Sequence, residues 1–234
     1  MKISGTQLNE TPIMKAVMEL DKRLAEMSYP AFDLNIVGGF ALALKGLREN
    51  AEDIVDINFV GKDFNDSIHS IIEEIGEKHG VGKYWLNNDL ILHGSSVEDF
   101  EFTTGKLHFT PVDALELSVI NLNVLDEKDL LRMKLIAIDT ELAAIEYGGS
   151  FERLQDFEDI VKLKESLGYD YIAMENLAGD YLLTDDVFDA ISAYEMGGEK
   201  QVSDFILEKT GISVLAHDID RYMEREADEL EAVM

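Results

Sequence analysis

Asp56 and Asn58 stand two residues apart in the run 54–60, interleaved with Val55, Ile57 and Phe59. Side chains on a strand alternate faces, so the three apolar residues point into a core and the two oxygen-bearing ones share the opposite face. Two oxygen ligands on one face can hold a hard divalent cation such as Mg2+. Upstream, Gly38-Gly39 closes an apolar stretch and opens the run 40–47. A glycine pair lets the backbone turn sharply and lets a phosphate come close. A helix starting there offers unsatisfied N–H groups and a positive dipole end. If the two strands are neighbours, the glycines and residues 56 and 58 face one pocket, suited to a phosphate-bearing ligand with its cation. Each half alone is weak, since most glycine pairs are plain turns and half-exposed strands often alternate polar with apolar.

The register rests on parity. Placing Asp53 and Val55 at the ligand positions would put Asp53 on the face of Val55, Ile57 and Phe59, and unpaired charges are rarely buried. Asp53 is therefore read as a turn residue.

The elements that must position these groups follow from hydrophobic spacing. Residues 11–27 carry Ile13, Val17, Leu20 and Leu24 at helical intervals. A strand is expected over 31–37, a buried helix over 40–47, a strand over 54–60 and a helix over 67–78. From 80 to 124, short apolar stretches separated by Asn and Gly predict several antiparallel strands, the last over 115–125. Asp126 and Ser150 then cap helices reaching to about 147 and 167. Beyond Tyr169 the pattern is helical, over 170–177, 182–196, 200–209 and 214–232. The expected class is α+β, a mixed sheet flanked by helices. An α/β core spans 1–125, a helical pair 126–168 and a helical C-terminal extension 169–234.

Acidic residues outnumber basic ones by 48 to 20, for a net charge of −28. Such a surface repels a nucleic-acid backbone, which argues against nucleic acid as a general partner. An ordinary solvated acidic surface explains the excess, and mimicry of nucleic acid towards a basic partner is a minor alternative. No apolar run is long enough to cross a membrane. The stretch 1–7 has no apolar signal core, and the chain has no cysteine, so a cytoplasmic location is expected. The five histidines are scattered without metal-ligand spacing. There is no nucleophile elbow and no P-loop lysine. Trp85 reads as a core residue, with a base pocket as the alternative.

The segment VGGFALALKGLRENAEDIVDINFVGKDF (37–64) resembles the polymerase-beta-type nucleotidyltransferase superfamily, in its small bacterial and phage branch that includes abortive-infection toxins. The family mark is a turn opened by two small residues, then two acids flanking an apolar residue on a strand. LDEKDLLRMKLIAI (125–138) and ERLQDFEDIVKLKESLG (152–168) resemble two further family segments, and the likeness spans about residues 30–168. It implies transfer of a nucleoside monophosphate from a nucleoside triphosphate to an acceptor hydroxyl, with Mg2+. It assigns metal and catalytic positions to Asp56 and Asn58. It assigns triphosphate contacts to Gly38, Gly39, Arg48 and Lys134. The third acid falls to Glu116, with Asp113 and Glu101 behind it. The acceptor is open, a protein or small molecule being favoured over RNA by the acidic surface.

The chain departs from the pattern at Asn58, where an amide replaces the second acid. A nucleotide-binding or purely structural relic, acting through a protein partner in phage–host conflict, is the alternative. Arg48 could instead pair with nearby acids. Lys134 could meet Asp156 and Asp159, which share a helix face and read as an ion-pair node with Arg153.

Overall fold

The computed structural model describes residues 10–48, 54, 56–61, 64–88, 106–112, 115–145, 151, 153–179 and 181–211. They form an α+β protein of seven helices and one five-stranded mixed sheet. The chain divides into two compact units, 1–130 and 131–234, so the division falls inside one helix, and the segments 131–168 and 169–234 share a unit. Among the described residues, no helix is long and apolar enough to cross a membrane.

Unit 1 begins with α1 (Pro12–Glu26). Thr11 caps it by accepting the Met14 N–H, and Pro12 occupies the first turn, where no amide hydrogen is needed. Then follow β1 (Phe32–Val37), α2 (Gly38–Leu44) and β2 (Ile57–Val60). Next come α3 (Asp66–His79), capped by Asn65 and closed by Gly80 at φ 72°, and the short β3 (Leu86–Asn87). After β4 (Phe109–Pro111) and β5 (Ile120–Leu125) the chain enters α4 (Glu127–Ile145).

The strand order is β3-β2-β1-β5-β4. β1 pairs antiparallel with β2 and parallel with β5, while β2–β3 is parallel and β4–β5 antiparallel. Of the antiparallel strands expected over 80–124, the described residues show β4 paired antiparallel with β5, while β3 pairs parallel with β2; residues 89–105 lie outside the described residues. β5 returns to the sheet centre beside β1, because its apolar side chains have a core face to fill there.

One face of the sheet buries Leu34, Ile36, Ile57, Phe59, Leu86, Ile120, Leu122 and Val124. The apolar sides of α1 and α3 are buried with them. The Phe64 ring meets Phe59 and Phe32 at centroid distances of 5.5 and 5.6 Å, closing this side. Trp85 belongs to this core: it is 1% exposed and donates its indole N–H to the Ile72 carbonyl. The opposite face carries Asp33, Asn35, Asn58, Asn121 and Asn123, with buried Val37 and Leu125 at the ends of β1 and β5. Asn121 donates to Asp33, and Asn123 to Asn35, across the β1–β5 pair.

Strand β5 starts at Ile120, five residues later than its hydrophobic alternation suggests. The cause is Asp21, buried mid-way along α1, whose carboxylate accepts the N–H groups of Ser118, Val119 and Ile120 at 2.8–2.9 Å. The carboxylate takes donors that a longer ladder would have used. A network on the outer side also ties α1 to α3. Glu19 accepts from Lys78, His79 and Arg23, and these bonds, led by Lys78, hold its carboxyl down at about 2.

Unit 2 carries the rest of α4, α5 (Leu154–Leu167), α6 (Tyr171–Leu177) and α7 (Asp185–Thr210). Phe151, Phe157 and Tyr194 stack at centroid spacings of 5.9 and 6.0 Å. Buried Asp139 accepts from the Tyr181 hydroxyl and from both the backbone and the hydroxyl of Thr184. Burial, reinforced by that carboxylate, pushes the Tyr181 hydroxyl up to about 12. α7 is broken at Gly197-Gly198, where Gly198 takes φ 67°, and Lys209 folds back to Asp186. The sequence places a break there, and the two arms correspond to its expected helices. The expected helix 214–232 lies outside the described residues.

Asp21 is the residue on which the β1–β5 pairing depends. Its replacement by Ala strands three donors, one of them fully buried, and bonds to a charged acceptor contribute about 1.5–3 kcal/mol each. Asp21→Ala is expected to lower the urea midpoint by an amount equivalent to about 3 kcal/mol or more, with little change in slope. Asp21→Asn, which keeps one acceptor oxygen, should lose less.

Candidate functional site

β1 and β2 are adjacent and antiparallel, with Val37 opposite Asn58. This register fixes the site. Ile36 faces Phe59 on the buried side, so Asn58 and the preceding Asp56 emerge where the chain leaves β1 through Gly38. A Cβ built on Gly38 would lie 3.6 Å from Asn58 Nδ2, and Gly38 itself has φ 68°, a conformation that favours glycine. A Cβ on Gly39 would fall 2.5 Å from Arg48 Nη1 and 3.0 Å from its guanidinium carbon. Gly39 is thus small so that the Arg48 guanidinium can lie against the backbone. Gly38, Gly39, Arg48, Asp56 and Asn58 are brought together at one corner of the sheet.

The helix opening at these glycines differs from expectation. α2 begins at Gly38 itself, not at Phe40, and runs seven residues. So short a helix has little macrodipole to offer. The positive charge at this corner comes from Arg48 instead. Phe40, Ala41, Leu42 and Ala43 are buried, which anchors the turn.

Asn58 Nδ2 donates to Asp56 Oδ2 at 2.8 Å. Asp56 is exposed and Asn58 half-buried, so one carboxylate is open to solvent with an amide braced against it. An aspartate at 58 would place two like charges here, and the amide removes that repulsion. Asn87 was not anticipated. β3 pairs parallel with β2, and Asn87 is opposite Asn58, so the two amides share the polar face. Asn87 donates to the Tyr84 carbonyl. Its only sequence signal was a turn-like Asn-Asn pair, and nothing local reveals which strand it joins.

Glu116 is not part of this group. It precedes β5, whose first residue, Ile120, pairs with Phe32 at the start of β1. The glycines lie past the other end of β1, about 17 Å along the strand. Parallel pairing of β1 and β5 sends Glu116 to the far edge of the sheet. Asp113, Glu101 and Asp53 fall outside the described residues.

Lys134 lies in unit 2, within an ion-pair node. It is 7% exposed and sits 2.5 Å from Asp156 and 2.8 Å from Asp159. Arg153 adds contacts to Asp156 and Glu141. Burial pushes the Asp156 carboxyl up, but Lys134 and Arg153 outweigh it and hold that group below its ordinary range. This is the structural alternative to a phosphate contact.

Mg2+ fits this corner only in part. Among the described residues, no group of three or more His, Cys, Asp or Glu could hold a metal ion. Asp56 offers one carboxylate, and Asn58 can offer its carbonyl oxygen by turning its amide over, at the loss of the bond to Asp56. Mg2+ is commonly held by one or two carboxylates together with substrate phosphates. The donor set suits a cation that arrives with a phosphate ligand, not one bound beforehand.

Two variants separate the roles. Gly39→Ala should keep the fold by circular dichroism but displace the guanidinium, so that a triphosphate held by Arg48 would bind about tenfold or more weakly, the size of one charge-assisted contact. Unchanged affinity by calorimetry would remove Arg48 from the site. Lys134→Met removes the cation shared by Asp156 and buried Asp159, leaving Asp156 with Arg153, and should cost about 3 kcal/mol in a denaturation experiment. A variant of normal stability that had lost only nucleotide affinity would return Lys134 to a phosphate role.

No protein-family model matches the chain, and comparison with curated proteins and with solved structures finds no match either.

Proposed function

We propose that unit 1 is a nucleotidyltransferase-like module, transferring a nucleoside monophosphate from a nucleoside triphosphate to an acceptor hydroxyl. The observation that carries this reading is the convergence of Gly38, Gly39 and Arg48 with Asp56 and Asn58. Gly38 turns the backbone beside Asn58, and Gly39 lets the Arg48 guanidinium lie against the chain. Arg48 supplies planar, fixed positive charge suited to phosphate. Asp56, with the carbonyl oxygen of Asn58, would hold Mg2+ against the same phosphates, where the ion would offset charge building on them. The protein's part is positioning and electrostatics, not covalent chemistry. The polar sheet face beside the corner carries amides and Asp33, with no Lys or Arg among its β-strand residues. That favours an uncharged acceptor, a small molecule or a protein hydroxyl, over an RNA end.

One observation favours a second reading. The Asn58 amide is hydrogen-bonded to the carboxylate a metal would need. A chain that binds nucleotide without transferring it, and acts through a protein partner, would look the same.

Calorimetry with each of the four nucleoside triphosphates, with and without Mg2+, tests both. Binding to the native protein that depends on Mg2+ is expected. Asn58→Asp should tighten metal-dependent binding by at least about tenfold, since it restores a full ligand charge. Label transferred from an α-labelled triphosphate by the native chain supports the first reading. Binding without transfer, with transfer appearing in Asn58→Asp, supports the second. Absence of binding by both proteins removes the nucleotide from the site altogether.

A further inference from the structure

We infer that Asn87 is a further binding residue of the corner, its side-chain oxygen joining Asp56 and Asn58 around a divalent cation that enters with the nucleotide. The inference rests on the nucleotide reading above. β3 and β2 run parallel, with Leu86 opposite Ile57 and Asn87 opposite Asn58. Leu86 and Ile57 are both buried, at 4% and 0% exposed, so the two asparagines share the other face. Asp56 is on that face too, since the Asn58 amide donates to its Oδ2 at 2.8 Å. Neighbouring strands lie about 4.8 Å apart, and residues two apart on one strand about 6.6 Å. Asp56 and Asn87 are thus about 8 Å apart at the backbone, a gap that two short side chains can close around one ion.

Hydrogen bonding fixes which atom Asn87 presents. Its Nδ2 donates to the Tyr84 carbonyl at 3.2 Å. A carbonyl only accepts, so the amide nitrogen must face it, and the amide oxygen is the atom left for a ligand. No other hydrogen bond among the described residues engages this side chain. Asn58 differs, because its nitrogen is bonded to the carboxylate that a cation would take. Asn87 can offer its oxygen while that bond stays intact. The strand beneath it is tied on two sides. The Ile57 N–H donates to the Trp85 carbonyl, and the Trp85 indole N–H donates to the Ile72 carbonyl in α3. Asn87 is half-buried, which limits competition from water for its oxygen. With Asn87 counted, the corner offers one charged and two neutral oxygen ligands, and carboxylate and carbonyl oxygens both suit Mg2+. One negative charge holds such an ion weakly by itself, so the triphosphate supplies the charge that the amides lack.

The test is calorimetry on the full chain with ATP, CTP, GTP and UTP in turn, each in Mg2+ and in EDTA, with thermal unfolding of every variant measured alongside. Asn87→Ala should weaken binding in Mg2+ by about tenfold and leave binding in EDTA unchanged. Asn87→Asp cannot donate to Tyr84, so its melting temperature should fall. Its affinity in Mg2+ should nonetheless rise by about tenfold, because it adds a ligand charge. A role confined to holding the Tyr84 carbonyl would lower stability in both variants and affinity in neither. Equal binding by native protein and Asn87→Ala in Mg2+ therefore overturns the assignment and leaves the proposed function standing. So does a loss of affinity that is the same in Mg2+ and EDTA, or an Asn87→Asp variant that binds no tighter in Mg2+ than the native chain. Where Asn87→Ala does not fold, the Asn87→Asp result decides. Native protein that binds nucleotide equally in both buffers overturns the assignment and keeps the nucleotide in the site. Native protein that binds no nucleotide overturns both.

Discussion

The pairing of β1 with β2 is the constraint from which the candidate site derives. Ile36 and Phe59 are both buried and sit opposite one another, and each neighbouring pair must then face the polar side. A slip of one residue would send Asn58 into the core and Phe59 into water, so hydrophobic burial alone enforces the register. The position of Asn58 beside Gly38 is thus a by-product of core packing. Burying one phenylalanine side chain contributes about 1.5–3 kcal/mol, more than any exposed polar contact at the corner could oppose.

The same reasoning explains why Asn58 is tolerable, whatever the chain does. Two carboxylates at positions 56 and 58 would repel one another in the absence of a cation. An amide replaces that repulsion with a hydrogen bond of 2.8 Å. The resting fold gains by it, while any bound metal loses a charged ligand. The same sheet face carries two further amide hydrogen bonds, Asn121 to Asp33 and Asn123 to Asn35, so no two acids meet in these pairs. In a chain of net charge −28, such amides limit local repulsion.

Elements with a strong local signal were legible from sequence. α1, α3 and α5 show helical apolar spacing and end at caps, and their bounds lie within a few residues of those expected. β1, the glycine turn and β2 were readable because one apolar alternation predicts both strand and facing. The node of Lys134 with Asp156 and Asp159 was readable because residues three apart share a helix face. Long-range pairing was not readable. Nothing in Ile120–Leu125 states that it runs parallel to β1, and that one fact removes Glu116 from the corner. Asn87 was hidden for the same reason: a two-residue strand has no periodicity, and only its register with β2 gives it meaning.

Asp21 shows how such a non-local pairing is selected. The parallel partner of β1 could in principle start anywhere along 115–125, since the alternation extends over much of that stretch. A carboxylate buried in α1 accepts three successive N–H groups at 118–120, and a buried charge is tolerable only where it is so satisfied. Helix α1 therefore sets where β5 begins. With its start fixed opposite Phe32, β5 reaches the end of β1 at Val124 and Leu125 and delivers the chain into α4 at Asp126. The end of the sheet at which β5 hands the chain to α4 is thus set by one acid in the first helix, far from it in sequence.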